Sequence, residues 1–557
     1  MVASEGHENV GGVGRSRDVL ATVVRQPLTW ITTAWVVANL AWLQANRASR
    51  TFELDEAGYV TIAVRMARQE SVRGFGATLK EGVHGPLQGV LALPGLWLTS
   101  SDPAVLLVEN VLFGAVTGLL AYVAARRMGG PRPALVVAML VLASPGVITL
   151  SHFALTAMPA VLFATLAMAA LVLGRGLEQG RWAIVAGAAV GAMTLSRSMT
   201  VGFLPAFGVL ALGWAFSLRT PLAIVVRNGA AAAIAALVTA AWWWLIRWDA
   251  VSAYLFGGGS ADVVPFESPV DKARLHAEEL LFSNLGRTTV VVAGVVLGVI
   301  ALRRRLAMER RPPSPQMARP LATWPLWAAT ATGIVLLSTS STLGIAFVLP
   351  MLPWVVVASV VGVARLVDEV ELRVWSVLVI AAAAATSLST SRPGLQADIY
   401  CAGEPRQRSM CAVGSNAVGG EWREAVDAVA NRLGAIQATA PDDVYDVAIV
   451  SRDFLVNLNT LSLATEIQRS ERIFWNGAFD PALPPDEQVA HALEADIIVT
   501  TPDYDEPSIL GTTEPPPEQL EAAARAEGFE DCGAVPLPDG RTVTILVAPW
   551  VGREGCA

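Results

Sequence analysis

Up to about residue 390 the chain alternates long apolar blocks with short polar connections that carry arginines. The blocks fall at 28–46, 104–124, 133–151, 157–174, 182–195, 200–217, 228–246, 287–302, 323–339, 343–363 and 374–390. Most approach the roughly 20 residues that a helix needs to cross a hydrocarbon core about 30 Å thick, so about eleven transmembrane helices are expected. With the N-terminus inside, the arginine-bearing connections all face the cytoplasm: Arg126 and Arg127, Arg175 and Arg181, Arg219 and Arg227, Arg303 to Arg305, and Arg365 with Arg373. This is the distribution that orients membrane proteins. An odd number of spans then places the chain after about residue 391 outside.

The pattern changes in the tail. Apolar runs of β type at 444–450, 495–500 and 542–547 alternate with helical patterns at 422–433, 486–493 and 517–527, which predicts an α/β soluble domain. The expected organisation is a cytoplasmic stretch 1–27, a membrane domain 28–391 with long outside loops 47–103 and 247–286, and an exported domain 392–557. The proline-rich stretch 309–320 reads as a linker. The first apolar block follows Arg15, Arg17 and Arg25 but has no small-residue cleavage site after it, so a retained span is expected in place of a signal peptide.

Composition agrees with a membrane solvent: 53% hydrophobic residues, 16% charged residues and a mean hydropathy of +0.49. The net charge of −8, with acidic residues gathered after about position 395, gives no reason to expect nucleic acid. All four cysteines, Cys401, Cys411, Cys532 and Cys556, lie in the tail. In an oxidising compartment they are disulfide candidates. Cys401 with Cys411 and Cys532 with Cys556 is the most local of three connectivities, and four free thiols remain an alternative.

Candidate chemistry sits in the first outside loop. Asp55 and Glu56 follow the first span directly, and Tyr59, Ile62, Ala63, Met66 and Ala67, opposite Arg65, Arg68 and Gln69, continue as an amphipathic helix expected to lie flat on the bilayer. The loop returns to the membrane through Lys80-Glu81-Gly82-Val83-His84-Gly85-Pro86-Leu87, which supplies a cation and an imidazole where a phosphate could be held. Arg197 is placed at an outside span end. Each has a plainer reading: Asp55 and Glu56 as helix-capping carboxylates, His84 as a solvated loop histidine, Arg197 as a snorkelling anchor. Trp242, Trp243 and Trp244 read as an interfacial aromatic belt.

An acidic pair in the first outside loop, an interfacial helix after it and a His-x-Pro-Leu turn before the next span resemble the GT-C glycosyltransferases, in particular the branch of the protein O-mannosyltransferases and aminoarabinose transferases. The matching residues are Asp55, Glu56, His84, Pro86 and Leu87, with Gly85 in place of a proline. Weaker matches are Leu155 to Pro159 and Gly344 to Pro353, so the resemblance covers roughly 28–390. It implies a polytopic α-helical fold, a polyprenyl-phosphate-linked sugar as donor, and a glycan, glycolipid or protein acceptor on the exported face of the cell membrane. It further implies inverting transfer with Asp55 as general base, Glu56 orienting the acceptor or sharing a divalent cation, and His84, Lys80 and Arg197 holding the donor phosphate. The family's second acidic residue before the Met-Pro is replaced by Ala157. Glu109, an ionisable residue at membrane depth, is the first substitute, ahead of Asp102, Asp249 and Asp271. Two rivals stand beside this reading: a transporter or flippase for a lipid-linked intermediate, and a non-catalytic membrane scaffold.

Overall fold

The computed structural model describes residues 27–47, 52, 54–81, 84–256, 268–306, 321–339, 347–390, 420–439, 444–451, 456–468, 473–476, 485–502, 517–551 and 556. Each expected span coincides with a helix or with two consecutive pieces. Pro27–Asn46, Ala104–Gly129, Leu222–Ile246 and Glu369–Thr390 are long single helices. Ala157–Leu173, Gly180–Ser196, Arg287–Leu306 and Trp324–Leu337 are shorter ones or equal in length to the first. Short 3₁₀ turns, Ser198–Phe203 and Leu349–Met351, lead into Leu204–Leu218 and Leu352–Leu366. Among the described residues five helices are long and apolar enough to cross a membrane unaided, or up to seven if each of two bent pairs is one span. The chain is a multi-pass membrane protein.

One bend follows from local chemistry. Pro131–Leu142 and Pro145–Ser151 meet at 53°. Pro145 has no N–H to continue the first helix, and the Ser144 hydroxyl accepts from the Val147 N–H to start the second. The other bend, 90°, separates Pro269–Asn284 from Arg287–Leu306.

Small residues set the packing of the bundle. A Cβ on Gly187 would lie 1.9 Å from the Ala232 carbonyl oxygen, and one on Gly191 2.6 Å from that of Ala236. The helices Gly180–Ser196 and Leu222–Ile246 therefore touch backbone to backbone, as membrane helices lacking a hydrophobic driving force tend to do. The outer side of Leu222–Ile246 exposes Leu222, Val226, Ile234, Leu237 and Leu245, a surface suited to lipid. Trp243 is buried and packs with Leu195 and Val251, so of the expected aromatic belt Trp242 alone is exposed.

The expected amphipathic helix forms, as Leu54–Arg68. It does not lie on the bilayer: Ala57, Val60, Ala63, Val64 and Met66 are fully buried against protein. Its apolar side is covered by Leu43, Ala92, Leu96, Leu106 and Ala154 from the membrane domain. The reason is the helix Leu87–Leu98, which the sequence reading left as loop and which brings Ala92 and Leu96 onto that side.

The tail is a five-stranded sheet, β1 Tyr445–Val450, β2 Ile473–Asn476, β3 Ile497–Thr500, β4 Glu530–Pro536 and β5 Thr542–Val547, in the order β2-β1-β3-β5-β4. The pairs β1·β2 and β1·β3 are parallel, whereas β3·β5 and β4·β5 are antiparallel. A disulfide joins Cys532, on β4, to Cys556. Cys401 and Cys411 lie outside the described residues.

Candidate active site

The candidate residues come from three segments that meet near Arg197. Asp55 and Glu56 occupy the first turn of Leu54–Arg68, where the helix dipole favours carboxylates. Consecutive residues on a helix point about 100° apart, and their fates differ accordingly. Glu56 turns inward and is fully buried. Both its oxygens accept from the Arg47 Nη2, at 2.9 and 2.7 Å, and Oε1 also accepts from the Ala154 N–H at 2.7 Å. Arg47 is equally buried and lies over the Phe52 and Phe153 rings. Glu56 therefore ties the helix Leu54–Arg68 to Arg47, at the end of the first span, and to Ala154, between Pro145–Ser151 and Ala157–Leu173. With Glu56 committed to Arg47, a divalent cation would find only Asp55 at this point. Among the described residues no group of three or more His, Cys, Asp or Glu side chains converges.

Asp55, on the other side of the same turn, is exposed. The protein mass around it still raises its carboxyl above the ordinary range, with the Arg197 guanidinium opposing and the Glu56 charge adding to the rise. Arg197 caps Gly180–Ser196 in extended backbone, φ −149° and ψ 120°, immediately before the 3₁₀ turn. That kink turns its side chain out of the helix, and the guanidinium carbon lies 4.6 Å from the centre of the Phe347 ring. The planar cation is thus held on an aromatic face.

His84 is buried, with its ring 5.5 Å from that of Tyr59. Burial, reinforced by the Arg197 charge, pushes its imidazole down to about 3. This favours the neutral ring, which can still offer a hydrogen bond. The next residue explains the departure from the Pro-Pro motif. A Cβ on Gly85 would lie 2.0 Å from the Leu195 carbonyl oxygen, so the turn presses directly on the backbone two residues before Arg197. Lys80 is exposed on the turn after Val72–Thr78 and makes no side-chain bond among the described residues.

Ala157 is buried and lines a small apolar hollow with Arg197, Phe203 and Phe347. Glu109 is half-buried in Ala104–Gly129, with Oε2 sealed from solvent and unpartnered. It has no charge partner, and no contact brings it to Asp55 or Arg197. A second carboxylate that, like Asp55, feels Arg197 is Glu279, in the π-helical turn Glu279–Asn284. Asn284 ends the same turn and rests on Gly146, where a Cβ would lie 2.4 Å from the Asn284 Oδ1. The sequence reading missed Glu279, Arg47 and also His152, which stacks on Trp42 at 3.8 Å and bonds to Asn39 at 2.7 Å.

Residues 84–244 match the family described as dolichyl-phosphate-mannose-protein mannosyltransferase. No curated protein sequence matches the chain. Among solved structures, ArnT from Cupriavidus metallidurans bound to undecaprenyl phosphate superposes with a TM-score of 0.59 at 15% identity, covering 95% of this chain and 100% of that one. Its apo form gives 0.56, also at 15% identity, over 93% and 99%. The arabinofuranosyltransferase AftD from Mycobacteria gives 0.52 at 14% identity over 94% of this chain and 40% of that one. An acidic turn outside the first span, a buried turn before the next long helix, a family match over part of the membrane domain and structural likeness along nearly the whole length together identify the fold as that of the GT-C glycosyltransferases.

Proposed function

We propose that the chain transfers a sugar from a polyprenyl-phosphate-linked donor to a hydroxyl of a glycan, glycolipid or protein on the exported face of the cell membrane, with inversion at the anomeric carbon. The observation that carries this reading is an exposed carboxylate, Asp55, that lies within the electrostatic reach of the stacked guanidinium of Arg197. The acceptor oxygen bonds to the anomeric carbon, its proton passes to Asp55, and the bond from that carbon to the phosphate oxygen breaks. Polyprenyl phosphate leaves with the electron pair. Arg197 faces the charge that develops on the leaving phosphate, and neutral His84 contributes a hydrogen bond. A raised pKa makes ionised Asp55 a stronger base than a surface aspartate. ArnT, which shares the fold, was solved with undecaprenyl phosphate bound, a ligand of the class proposed for the donor product here.

The test is donor consumption by the purified full-length protein, offered polyprenyl-phosphate hexoses and pentoses with a mixture of cell-envelope acceptors. Acceptor-dependent release of polyprenyl phosphate is expected for at least one donor. No release from any of them overturns the reading.

A further inference from the structure

We infer that the soluble domain is the second wall of the catalytic helix: Leu458–Ile467 clamps Leu54–Arg68 against the membrane domain and so positions Asp55. This rests on the reading of Asp55 as the base and extends it to a part of the chain that carries no site of its own.

The clamp is built from the tail outward. Asn457 starts its helix with a capping box: its Oδ1 accepts from the Asn459 and Thr460 N–H groups at 3.0 and 3.1 Å, and the Thr460 hydroxyl accepts from the Asn457 N–H at 3.0 Å. Leu461 and Ala464 on one side of this helix belong to the core of the sheet. Leu463, on another side and 4% exposed, belongs instead to the apolar cluster of Ala57, Val60, Ala63 and Val64. One helix thus enters two cores. At the start of the contact, Gly58 permits the approach, since a Cβ there would lie 3.1 Å from the Asn459 Nδ2. At the end, Arg65 bonds to Glu466 at 3.0 Å and to the Ser462 hydroxyl at 3.2 Å, and Arg68 reaches the Glu466 carboxylate at 3.4 Å and its carbonyl oxygen.

Arg65 also pairs with Glu81 at 3.2 Å, three residues before His84. A single guanidinium therefore ties the tail, the catalytic helix and the turn that leads to His84. Arg47 and Ala154 fix the inner side of the same helix through Glu56. Asp55 has Arg197 and Glu56 as its charged neighbours, while Arg65, Arg68 and Glu466 lie further along on the tail-facing side. Loosening the clamp lets the first turn move away from the protein packed around it. Burial outweighs Arg197 in setting the Asp55 carboxyl, so the net change is a fall in its pKa.

Full-length Leu463→Ala and Glu466→Gln variants test this, with thermal unfolding and monodispersity as fold controls. Carbodiimide labelling of Asp55, followed by mass spectrometry across pH, reads its protonation without requiring turnover. The labelling midpoint should fall, and kcat should fall roughly 10- to 100-fold, as for a displaced catalytic group, with the donor KM held. In parallel, a Gly58→Cys/Asn459→Cys pair should cross-link in membranes. No cross-link overturns the clamp. A cross-link together with parental midpoints in both variants overturns positioning. A parent that consumes no donor while the midpoint still falls leaves the clamp standing and defeats the sugar-transfer reading.

Discussion

Asp55 and Glu56 are adjacent on one helix and feel each other's charge, yet they enter two different surroundings. Glu56 lies in a sealed wall where every oxygen has a donor and a buried arginine. Asp55 stands exposed, with the surrounding protein raising its pKa and Arg197 opposing the rise. Two carboxylates of like charge thus acquire opposite tasks, one rigid and one reactive, because chemistry at a site depends on environment more than on residue type. The tail extends the same division: it adds rigidity to the wall and leaves Asp55 exposed.

The sharpest way to break this comparison is Asp55→Asn. Asparagine keeps the size and can still cap a helix, so a structural role predicts near-parental turnover. Loss of the base predicts a fall of roughly 10² to 10⁴ in kcat at saturating donor with an unchanged unfolding temperature. Glu56→Gln should show the reverse. It removes the charge opposite buried Arg47, a loss of about 3–5 kcal/mol, seen as lost folded protein in detergent; pairing it with Arg47→Met should restore part of that. If Glu56→Gln instead folds normally and loses only turnover, the two carboxylates have been assigned the wrong way round.

Gly85→Ala comes next. Its methyl would collide with the Leu195 carbonyl, and overpacking of about 1–3 kcal/mol should displace the segment that presents Arg197. The donor KM should rise while the pH profile of kcat keeps its shape; a normal KM would detach Gly85 from donor binding. The smallest effect is a shift in pH dependence. Ionised Asp55 is the active form, so kcat/KM should climb with pH through a limb above the ordinary aspartate value of about 4. Arg197 lowers that pKa, so Arg197→Gln should move the limb to higher pH, and a move to lower pH would place the guanidinium elsewhere.

Much of the membrane half was legible because lipid imposes one simple rule, a run of apolar residues of fixed length. The bend at Ser144-Pro145 was written in the same residues but lay inside an uninterrupted apolar block. The partner of Glu56 was harder to see. Arg47 closes the first span and reads as an ordinary flanking charge until the helix folds back to bury it. Glu279 sits in a π-helical turn that no periodicity announces. In the tail, β4 escaped notice because its alternation is interrupted by a register shift between Asp531 and Ala534, with Gly533 at φ 123°. The helix that clamps the site was announced by Asn457 and Thr460, a short signal beside a short apolar run. Turns and caps place Asp55, but only long-range packing shows what surrounds it.

The strand order of the tail has a consequence for biosynthesis. Strand β5, Thr542–Val547, is the last of the five to leave the ribosome, yet it occupies an interior position between β3 and β4. Until it arrives, β3 has an open edge and β4 has no neighbour in the sheet, so the platform behind Leu458–Ile467 cannot close. The membrane helices precede it in the chain and can insert while it is still being made. An enzyme assembled in this order would stay silent during its own synthesis and gain its full site only when the final strand is threaded into the sheet.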